Sequence, residues 1–269
     1  MRRRRFLVST LVAAGVTLAD QANLRADTSN SDHEPGRQYY ELRRYHLRAG
    51  PETGIVHNFF KNAFIPAANR LGIRPIGVFD QMLGPRNPTV YVLIPCSSLE
   101  ALVRLEAHLR SDREYLKAGH DFLNAPAAAP AYERMESSLM LAFRGRPRIQ
   151  LPPMTAAHRP RVFELRAYES PSDRDHWRKI EMFHSGEFDI FRASGFWPVF
   201  YGDTLIGQRL PQLTYMLAFG SLSERNRLWR AFDTAPAWQK LSHEERFAFE
   251  PIVTNVANFI LSPAPYSQI

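Results

Sequence analysis

Three polar side chains that could bind or transform a small molecule recur at the same spacing in two parts of this 269-residue sequence. The first set and its repeat, 123 positions later, are Glu41, Arg43, Tyr45, Glu164, Arg166 and Tyr168. A guanidinium can hold a carboxylate or a phenolate through paired hydrogen bonds, and a tyrosine hydroxyl beside it can add a further contact. Alternate residues of a strand share a face, so each set points in one direction.

These residues leave three interpretations open. If Leu42 and Leu165 pack against helices, the six polar side chains face the space between the two halves, where buried charges need partners. They would then form an ion-pair network that fixes the two halves together, a pocket in which arginine binds an acidic group, or a catalytic site. As the functional hypothesis, we predict that they bind a small acidic or aromatic ligand.

His46 follows the first set, and Glu169 stands at the corresponding place in the second. A histidine at this strand end could ligate haem or move a proton, and a plain surface histidine is the alternative.

We expect no bound metal, because no pair of histidines has the spacing of a helical zinc site and His243-Glu244-Glu245-Arg246 lacks a second histidine. We also expect no cofactor, with haem at His46 as the alternative. The sequence contains no Gly-rich phosphate loop and no Gly-x-Ser-x-Gly elbow, which argues against nucleotide and serine hydrolysis.

Two further pairs of charges flank turns at equivalent positions in the two halves. Asp80 with Arg86, and Asp203 with Arg209, are predicted to stabilise hairpin turns rather than to act on a ligand. The single cysteine, Cys96, permits no internal disulfide, and its apolar surroundings in the sequence predict a buried hydrophobic residue.

The elements that must position these residues occur twice in the same order. Alternating and helical apolar patterns predict strand, helix, strand, strand, helix and strand in each half. The first half is predicted to begin with a strand at Tyr39–Leu47 and a helix from Pro51 that Pro66 bends or ends. Ser97 with Glu100, and Ser221 with Glu224, have capping-box spacing before the next helices. This β-α-β-β-α-β order is ferredoxin-like, which makes the fold class α+β.

The chain divides into five segments of different composition. We predict a signal peptide at 1–26, a flexible lead-in at 27–38, a first domain at 39–143, a Pro-rich linker at 144–160 and a second domain at 161–262. Arg3-Arg4-Arg5-Phe6-Leu7, followed by about a dozen apolar residues, resembles a twin-arginine export signal. The apolar core is short for a bilayer span, which predicts export rather than a stable anchor, although an uncleaved anchor is the alternative.

The net charge of +7 comes largely from the N-terminus. The first 26 residues hold five of the 34 basic residues and one of the 27 acidic ones, so the remainder carries +3. Its arginines and lysines are interspersed with acidic residues, which predicts no nucleic-acid binding. The sequence does not determine the oligomeric state, and a homo-oligomer remains open.

The repeated Tyr-Glu-Leu-Arg-x-Tyr opening at residue 40, the Phe-rich helix after it, Gly72-x-x-Pro75 and the aliphatic strand Val90 to Ile94 resemble the NIPSNAP family. The resemblance covers about 39–143 and 161–262. It implies a dimeric α/β barrel in which two ferredoxin-like units, here joined in one chain, oppose their sheets. NIPSNAP proteins are best known from mitochondria and have no agreed catalytic motif, whereas the export-type signal departs from that setting. Related barrels include cofactor-free monooxygenases and haem-using peroxidases, a kinship of fold alone.

Together these observations predict an exported, periplasmic or extracellular protein that binds a small acidic or aromatic ligand, or a partner, between its two halves. The alternative is a cofactor-free or haem-using oxygenase or peroxidase of the same barrel group.

Overall fold

The computed structural model describes residues 36–85 and 88–269, except for the side chains of 249 and 250, and eight antiparallel strands in these ranges form a closed barrel. The strands are β1 (Tyr39–His46), β2 (Gly77–Leu83), β3 (Thr89–Cys96), β4 (Arg134–Ala142), β5 (Val162–Glu169), β6 (Trp197–Ile206), β7 (Gln212–Phe219) and β8 (Asn255–Pro263). Their order around the barrel is β1-β3-β2-β8-β5-β7-β6-β4, and β4 pairs with β1 to close the ring.

Each half supplies one ferredoxin-like sheet, β4-β1-β3-β2 from the first and β8-β5-β7-β6 from the second. The edge strands of the two sheets pair with each other, β2 with β8 and β4 with β6. Closure in this way removes the exposed edges that an isolated four-stranded sheet would present. The predicted α+β fold, two tandem ferredoxin-like units in an intrachain α/β barrel, is confirmed.

Helices cover the outside of the barrel in both halves. They are α1 (Pro51–Phe59), α2 (Ile65–Arg70), α3 (Leu99–Leu109), α4 (Arg113–Ala118), α5 (His120–Leu123), α6 (Pro153–Ala156), α7 (Asp173–Met182), α8 (Phe188–Ala193), α9 (Leu222–Asp233), α10 (Pro236–Ser242) and α11 (Phe249–Ile252), with a 3₁₀ turn at Glu245–Phe247. The described part of the chain contains no helix that is both long and apolar enough to cross a membrane.

The first helix of each half contains one π-helical turn, at Phe60–Phe64 and at Phe183–Glu187. Pro66 lies in the first turn of α2, where its missing N–H is tolerated, so the helical path continues beyond it. The second half has the same π turn with Asp189 in place of the proline, so the proline is not required for this irregularity.

The helices that follow the hairpins start at serine caps. Ser221 accepts a hydrogen bond from the backbone N–H of Glu224, as its spacing predicts. In the first half the cap is Ser98, which accepts from the N–H of Ala101, so the prediction of Ser97 is wrong by one residue.

Three apolar clusters hold the barrel together. One lies between the first sheet and its helices and a second between the second sheet and its helices. The third fills one end of the barrel interior with residues from both halves. Its largest members are Tyr40, Tyr91, Phe79, Phe163 and Phe200. A strand that is buried on both faces in this way tends to have a nearly continuous run of apolar residues in its sequence.

The segment between the halves packs against this filled end of the barrel. In the predicted linker 144–160, Ile149 and Met154 contact the interior cluster, and the N–H of Gln150 donates to the carbonyl of Val199. Ile269 is buried in the same cluster. The predicted signal peptide, residues 27–35 of the lead-in and Arg86 lie outside the described residues.

Candidate ligand-binding site

The prediction that the repeated polar residues face the space between the two halves is wrong. Leu42 and Leu165 point into the barrel and belong to its interior cluster. Tyr45 and Tyr168 instead belong to the two clusters between sheet and helices. Because side chains alternate along a strand, Glu41, Arg43, Glu164 and Arg166 also lie on the outer, helix-covered side.

In the first half these outer residues tie the sheet to a helix. The Arg43 Nε donates to Glu41 Oε1 at 2.8 Å, and its Nη2 donates to Glu106 Oε1 of α3 at 2.6 Å. Ser137 Oγ donates to Glu41 from the neighbouring strand at 2.8 Å. The Tyr45 ring packs against Phe60 and other aromatic rings of the helical layer.

The second half repeats this arrangement with more donors. Arg166 Nη1 lies 2.9 Å from Glu164 Oε1, and its Nη2 donates to the Tyr168 hydroxyl at 2.9 Å. From α9, Arg225 and Trp229 both donate to Glu164 at 2.6 Å. Burial acts to raise the pKa of Glu164, but these donors and the nearby guanidinium groups outweigh it and lower the pKa. The six residues therefore have a clear structural role, and their predicted role in ligand binding stays a prediction.

The other end of the barrel interior contains a cavity of about 570 Å³. It is lined by Leu42, Arg44, His46, Pro85, Tyr91, Arg134, Glu136, Ser138, Leu165, Ala167, Gln208, Arg209, Gln212, Thr214, Ala257, Asn258 and Phe259. A volume of this size is within the range of small-molecule sites.

The two halves contribute different chemistry to the cavity wall. The inward positions that follow Leu42 on β1 are Arg44 and His46, and β4 adds Arg134 and Glu136. At the corresponding places in the second half, β5 supplies Ala167 and Glu169, and β8 supplies Asn255 and Ala257. Phe259 and Leu165 extend that side as an apolar surface. The divergence of the two repeats has therefore given the cavity a charged wall from β1 and β4 and, from β5 and β8, a wall that is apolar at Leu165, Ala167, Ala257 and Phe259. Beside this apolar wall, the second half also adds the polar residues Gln208, Arg209, Gln212, Thr214 and Asn258.

Glu136 organises the charged wall. Its Oε2 lies 3.1 Å from Arg44 Nη2 and 3.4 Å from His46 Nε2. The other ring nitrogen of His46, Nδ1, lies 3.2 Å from the Thr89 hydroxyl. Burial acts to raise the pKa of Glu136, but Arg44 and His46 outweigh it and lower the pKa. The carboxylate is therefore ionised at neutral pH and compensates one of the cationic groups beside it.

Two more arginines stand at the open end of the cavity. Arg134 is exposed. Arg209 lies on the β6–β7 loop with φ 59°, and its Nη1 lies 3.4 Å from Glu169 Oε1. Three arginines and a single carboxylate are among the residues that line the cavity. This excess of positive charge favours an anionic ligand.

Sequence reasoning anticipated some of this site. His46 was placed at the mouth of the barrel, where it does contact the cavity, but Arg44 and Glu136 were missed. Arg44 is two residues beyond Leu42, so correct facing of β1 would have identified it. Cys96 is buried, and burial raises the pKa of its thiol to about 12, in agreement with its prediction as a hydrophobic residue.

The predicted turn pair of Asp203 with Arg209 is wrong. Asp203 faces outward to α7, where its Oδ1 lies 2.7 Å from His176 Nε2, whereas Arg209 is directed to Glu169 at the barrel mouth. Asp80 similarly meets His57 Nε2 at 3.0 Å, and its predicted partner Arg86 is outside the described residues. Within residues 36–85 and 88–269, no group of three or more His, Cys, Asp or Glu side chains could hold a metal ion.

Solved structures share this fold. A protein from Lactobacillus acidophilus NCFM, provisionally named a monooxygenase, is 9% identical over 84% of this chain and 94% of its own, with a TM-score of 0.55. A second protein so named, from Fusobacterium nucleatum, is 8% identical over 85% of this chain and 93% of its own, with a TM-score of 0.54. At these identities the likeness concerns the fold alone.

Relatives with higher identity match one half at a time. An uncharacterised NIPSNAP-like domain protein from Burkholderia xenovorans is 22% identical over 40% of this chain and 88% of its own, with a TM-score of 0.36. A comparison with curated proteins gives no match. The sequence profile of the NIPSNAP family matches residues 40–144 and again residues 163–268. The chain therefore belongs to the NIPSNAP family, with one NIPSNAP repeat in each half of its barrel.

Proposed function

We propose that the protein binds a small anionic molecule with an aromatic or aliphatic body in the open end of its barrel. The observation that carries this proposal is the division of the cavity into a wall with Arg44, His46 and Glu136 and a wall with Leu165 and Phe259. A ligand with one acidic end and one apolar end matches both walls at once. The ligand class is the one expected from the sequence, but the residues proposed to hold it are different.

Arg44 is the proposed anchor for the acidic group. Its contact with Glu136 is 3.1 Å and uses Nη2, and a guanidinium has five N–H donors in all. Its side chain is one quarter exposed, so donors remain within reach of the cavity. Glu136 holds the guanidinium in place and limits its charge, which favours a monoanion over a more highly charged ligand.

A second candidate function, cofactor-free oxygenation of the bound molecule, is favoured by the position of His46. Its imidazole lines the cavity beside Glu136, and imidazole is a common acceptor of a proton from a phenol or an enol. For this step Nε2 would have to turn from Glu136 toward the bound molecule. The two provisionally named monooxygenases of the same fold agree with this chemistry, by fold alone.

Haem is not part of the proposal. An axial ligand needs an imidazole nitrogen that is open to the cavity. His46 Nε2 is buried beside Glu136, and Nδ1 lies beside Thr89. The residues present therefore do not fit a haem iron.

A pair of neighbouring arginines provides the test. Arg44→Gln and Arg43→Gln change the same side chain on opposite faces of β1. Binding of 1-naphthoate would be measured by calorimetry, with 1-naphthylmethanol as the uncharged comparison. We expect Arg44→Gln to weaken naphthoate binding at least about tenfold, because a hydrogen bond to a charged group contributes about 1.5–3 kcal/mol. Arg43→Gln should lower thermal stability and leave binding unchanged.

The opposite result, with binding lost in Arg43→Gln and retained in Arg44→Gln, would indicate that the ligand binds on the outer, helix-covered side of the sheet. Equal binding of the acid and the alcohol would show that charge does not select the ligand. Oxygen consumption with bound 1,8-dihydroxyanthrone as a probe phenol, abolished in His46→Gln, would distinguish the second candidate from binding alone.

A further inference from the structure

The ends of the two longest hairpins expose apolar side chains at equivalent positions. Met82 and Leu83 close β2, and Leu205 and Ile206, each 123 residues later, close β6. Leu83 is 60% exposed and Ile206 is 64% exposed, while their neighbours in the sequence are about 40% exposed. Single exposed apolar residues are ordinary on a protein surface, but a pair that recurs in both repeats indicates a surface with a partner.

These strand ends are still paired within the barrel, Leu83 with Ile260 of β8 and Ile206 with Leu139 of β4. The register shifts beside Met82 and beside Leu205, so regular alternation is interrupted there and both members of each pair are exposed. Earlier in the same strands, residues such as Phe79 and Phe200 are fully buried.

Both hairpins border the mouth of the cavity. Pro85 from the first hairpin loop, and Gln208 and Arg209 from the second, line the same cavity. Leu210 and Met135 add partly exposed apolar surface beside them. We call Met82, Leu83, Leu205, Ile206 and Leu210 the apolar rim.

Beside the apolar rim, Arg134 is exposed and forms no ion pair among the described residues. Arg209 is 62% exposed on its side chain and lies beside Glu169, and Arg48 lies beside both Glu133 and the buried Glu52. The exposed positive charge of Arg134 is therefore not offset by a carboxylate of its own. Inside the mouth, Glu136 is matched by Arg44.

We propose that the apolar rim docks on the surface of an anionic lipid bilayer, with its hairpin ends in the interface and its arginines at the headgroups. Apolar side chains that enter the headgroup region together with adjacent arginines are the two components of peripheral membrane binding. A second copy of the chain is a poorer occupant, because mouth-to-mouth association would oppose the arginines of one copy to those of the other. The docking proposal rests on the apolar rim and does not depend on which ligand the cavity binds.

The test measures amide hydrogen exchange of the full chain with and without vesicles. One set of vesicles is phosphatidylcholine alone, and the other contains about 30% phosphatidylglycerol to give the negative surface that cationic segments recognise. Exchange must be measured separately for each segment, because the N-terminal segment, with Arg2 to Arg5 and an apolar stretch, can attach to lipid by itself. We expect slower exchange in both hairpin ends with the anionic vesicles only.

Matched variants distinguish an effect of the apolar rim from an effect of exposed apolar side chains elsewhere on the protein. Leu83→Gln with Ile206→Gln should weaken the vesicle-dependent protection at least about tenfold, since two apolar side chains lose their interfacial contact. Val103→Gln with Trp177→Gln, which changes two side chains on helices that are 71% and 65% exposed, should leave it unchanged. Arg134→Gln should weaken it about fivefold at low salt.

Three results would overturn the proposal. They are absence of protection in the hairpin ends, equal protection by the two vesicle types, and unchanged protection in Leu83→Gln with Ile206→Gln. Concentration-dependent dimerisation without lipid, abolished by that double variant, would assign the rim to a second copy instead. Loss of rim protection with intact naphthoate binding would refute the docking alone, and the reverse would refute the cavity proposal alone.

Discussion

Replacement of Lys179 by methionine would leave the carboxylate of Glu187 buried without its ammonium partner. Lys179 is fully buried and Glu187 is 2% exposed, and Nζ lies 2.7 Å from Oε2 across the π turn of the second half. The ammonium group also lies over the Phe183 ring, 4.6 Å from its centroid. The corresponding positions of the first half are Val56 and Phe64, both buried, so the fold accepts either an apolar pair or an ion pair here.

The expected loss of stability is large. At 2.7 Å and an effective dielectric constant of about 20, the attraction between two unit charges is about 6 kcal/mol, part of which is offset by relaxation and water entry. Removal of one member of a buried pair commonly costs about 3–5 kcal/mol, and we expect Lys179→Met to fall in that range. Replacement of both members, Lys179→Met with Glu187→Leu, should be nearly neutral or stabilising, as the apolar pair of the first half suggests.

The effect should depend on pH in a defined direction. Burial raises the pKa of Glu187, while Lys179 acts to lower it. A raised folded-state pKa means that this group favours folding below its unfolded pKa and that the contribution is lost as the pH rises through the folded value. Loss of Lys179 raises the folded pKa further, so the deficit of Lys179→Met should be small in acid and should grow toward neutral pH.

Urea denaturation followed by tryptophan fluorescence at several pH values would measure these free energies. Arg192→Met is a suitable control, because Arg192 and Asp189 are similarly close, at 2.8 Å, but both side chains are more than 70% exposed, and no measurable change is expected. A cost below about 1 kcal/mol for Lys179→Met, or a double variant as unstable as the single one, would refute the assignment of a charged buried pair.

Two further predictions concern the cavity and the N-terminus. Glu136→Gln should destabilise the protein by about 1.5–3 kcal/mol at neutral pH, and this difference should shrink as the pH falls through the lowered pKa of Glu136, as acid-dependent unfolding would measure. The same variant should bind naphthoate more tightly, because Arg44 loses its competing carboxylate. Weaker binding would refute competition as the main effect of Glu136 and would show that its positioning of Arg44 matters more. In a cell that supports twin-arginine export, the mature N-terminus should lie between Asp20 and Asp27, and Edman sequencing that finds Met1 in the cytosolic fraction would refute the export signal.

The repeated sequence pattern was sufficient to predict the architecture. Two copies of the same order of apolar periodicities specify two ferredoxin-like units, and the prediction of β1 at Tyr39–Leu47 ends one residue from its observed limit at His46. The preferences of the residues for helix, strand and turn act within each unit, and the repeat states these preferences twice in the sequence. The family resemblance rests on the same repeated residues.

The tertiary structure alone decided which face of each strand is inside. Alternation separates Leu42 from Arg43, but both faces of β1 are buried, one against helices and one against the barrel interior, and no periodicity distinguishes two buried faces. The usual expectation that charges line an open interior therefore placed the repeated Glu and Arg on the wrong side. In the folded protein they are neutralised by Glu106 and Arg225 from helices that lie more than 60 residues away in the sequence. The cavity depends on a still longer relation, because closure of β4 onto β6 and of β2 onto β8 brings the charged wall of one repeat opposite the apolar wall of the other.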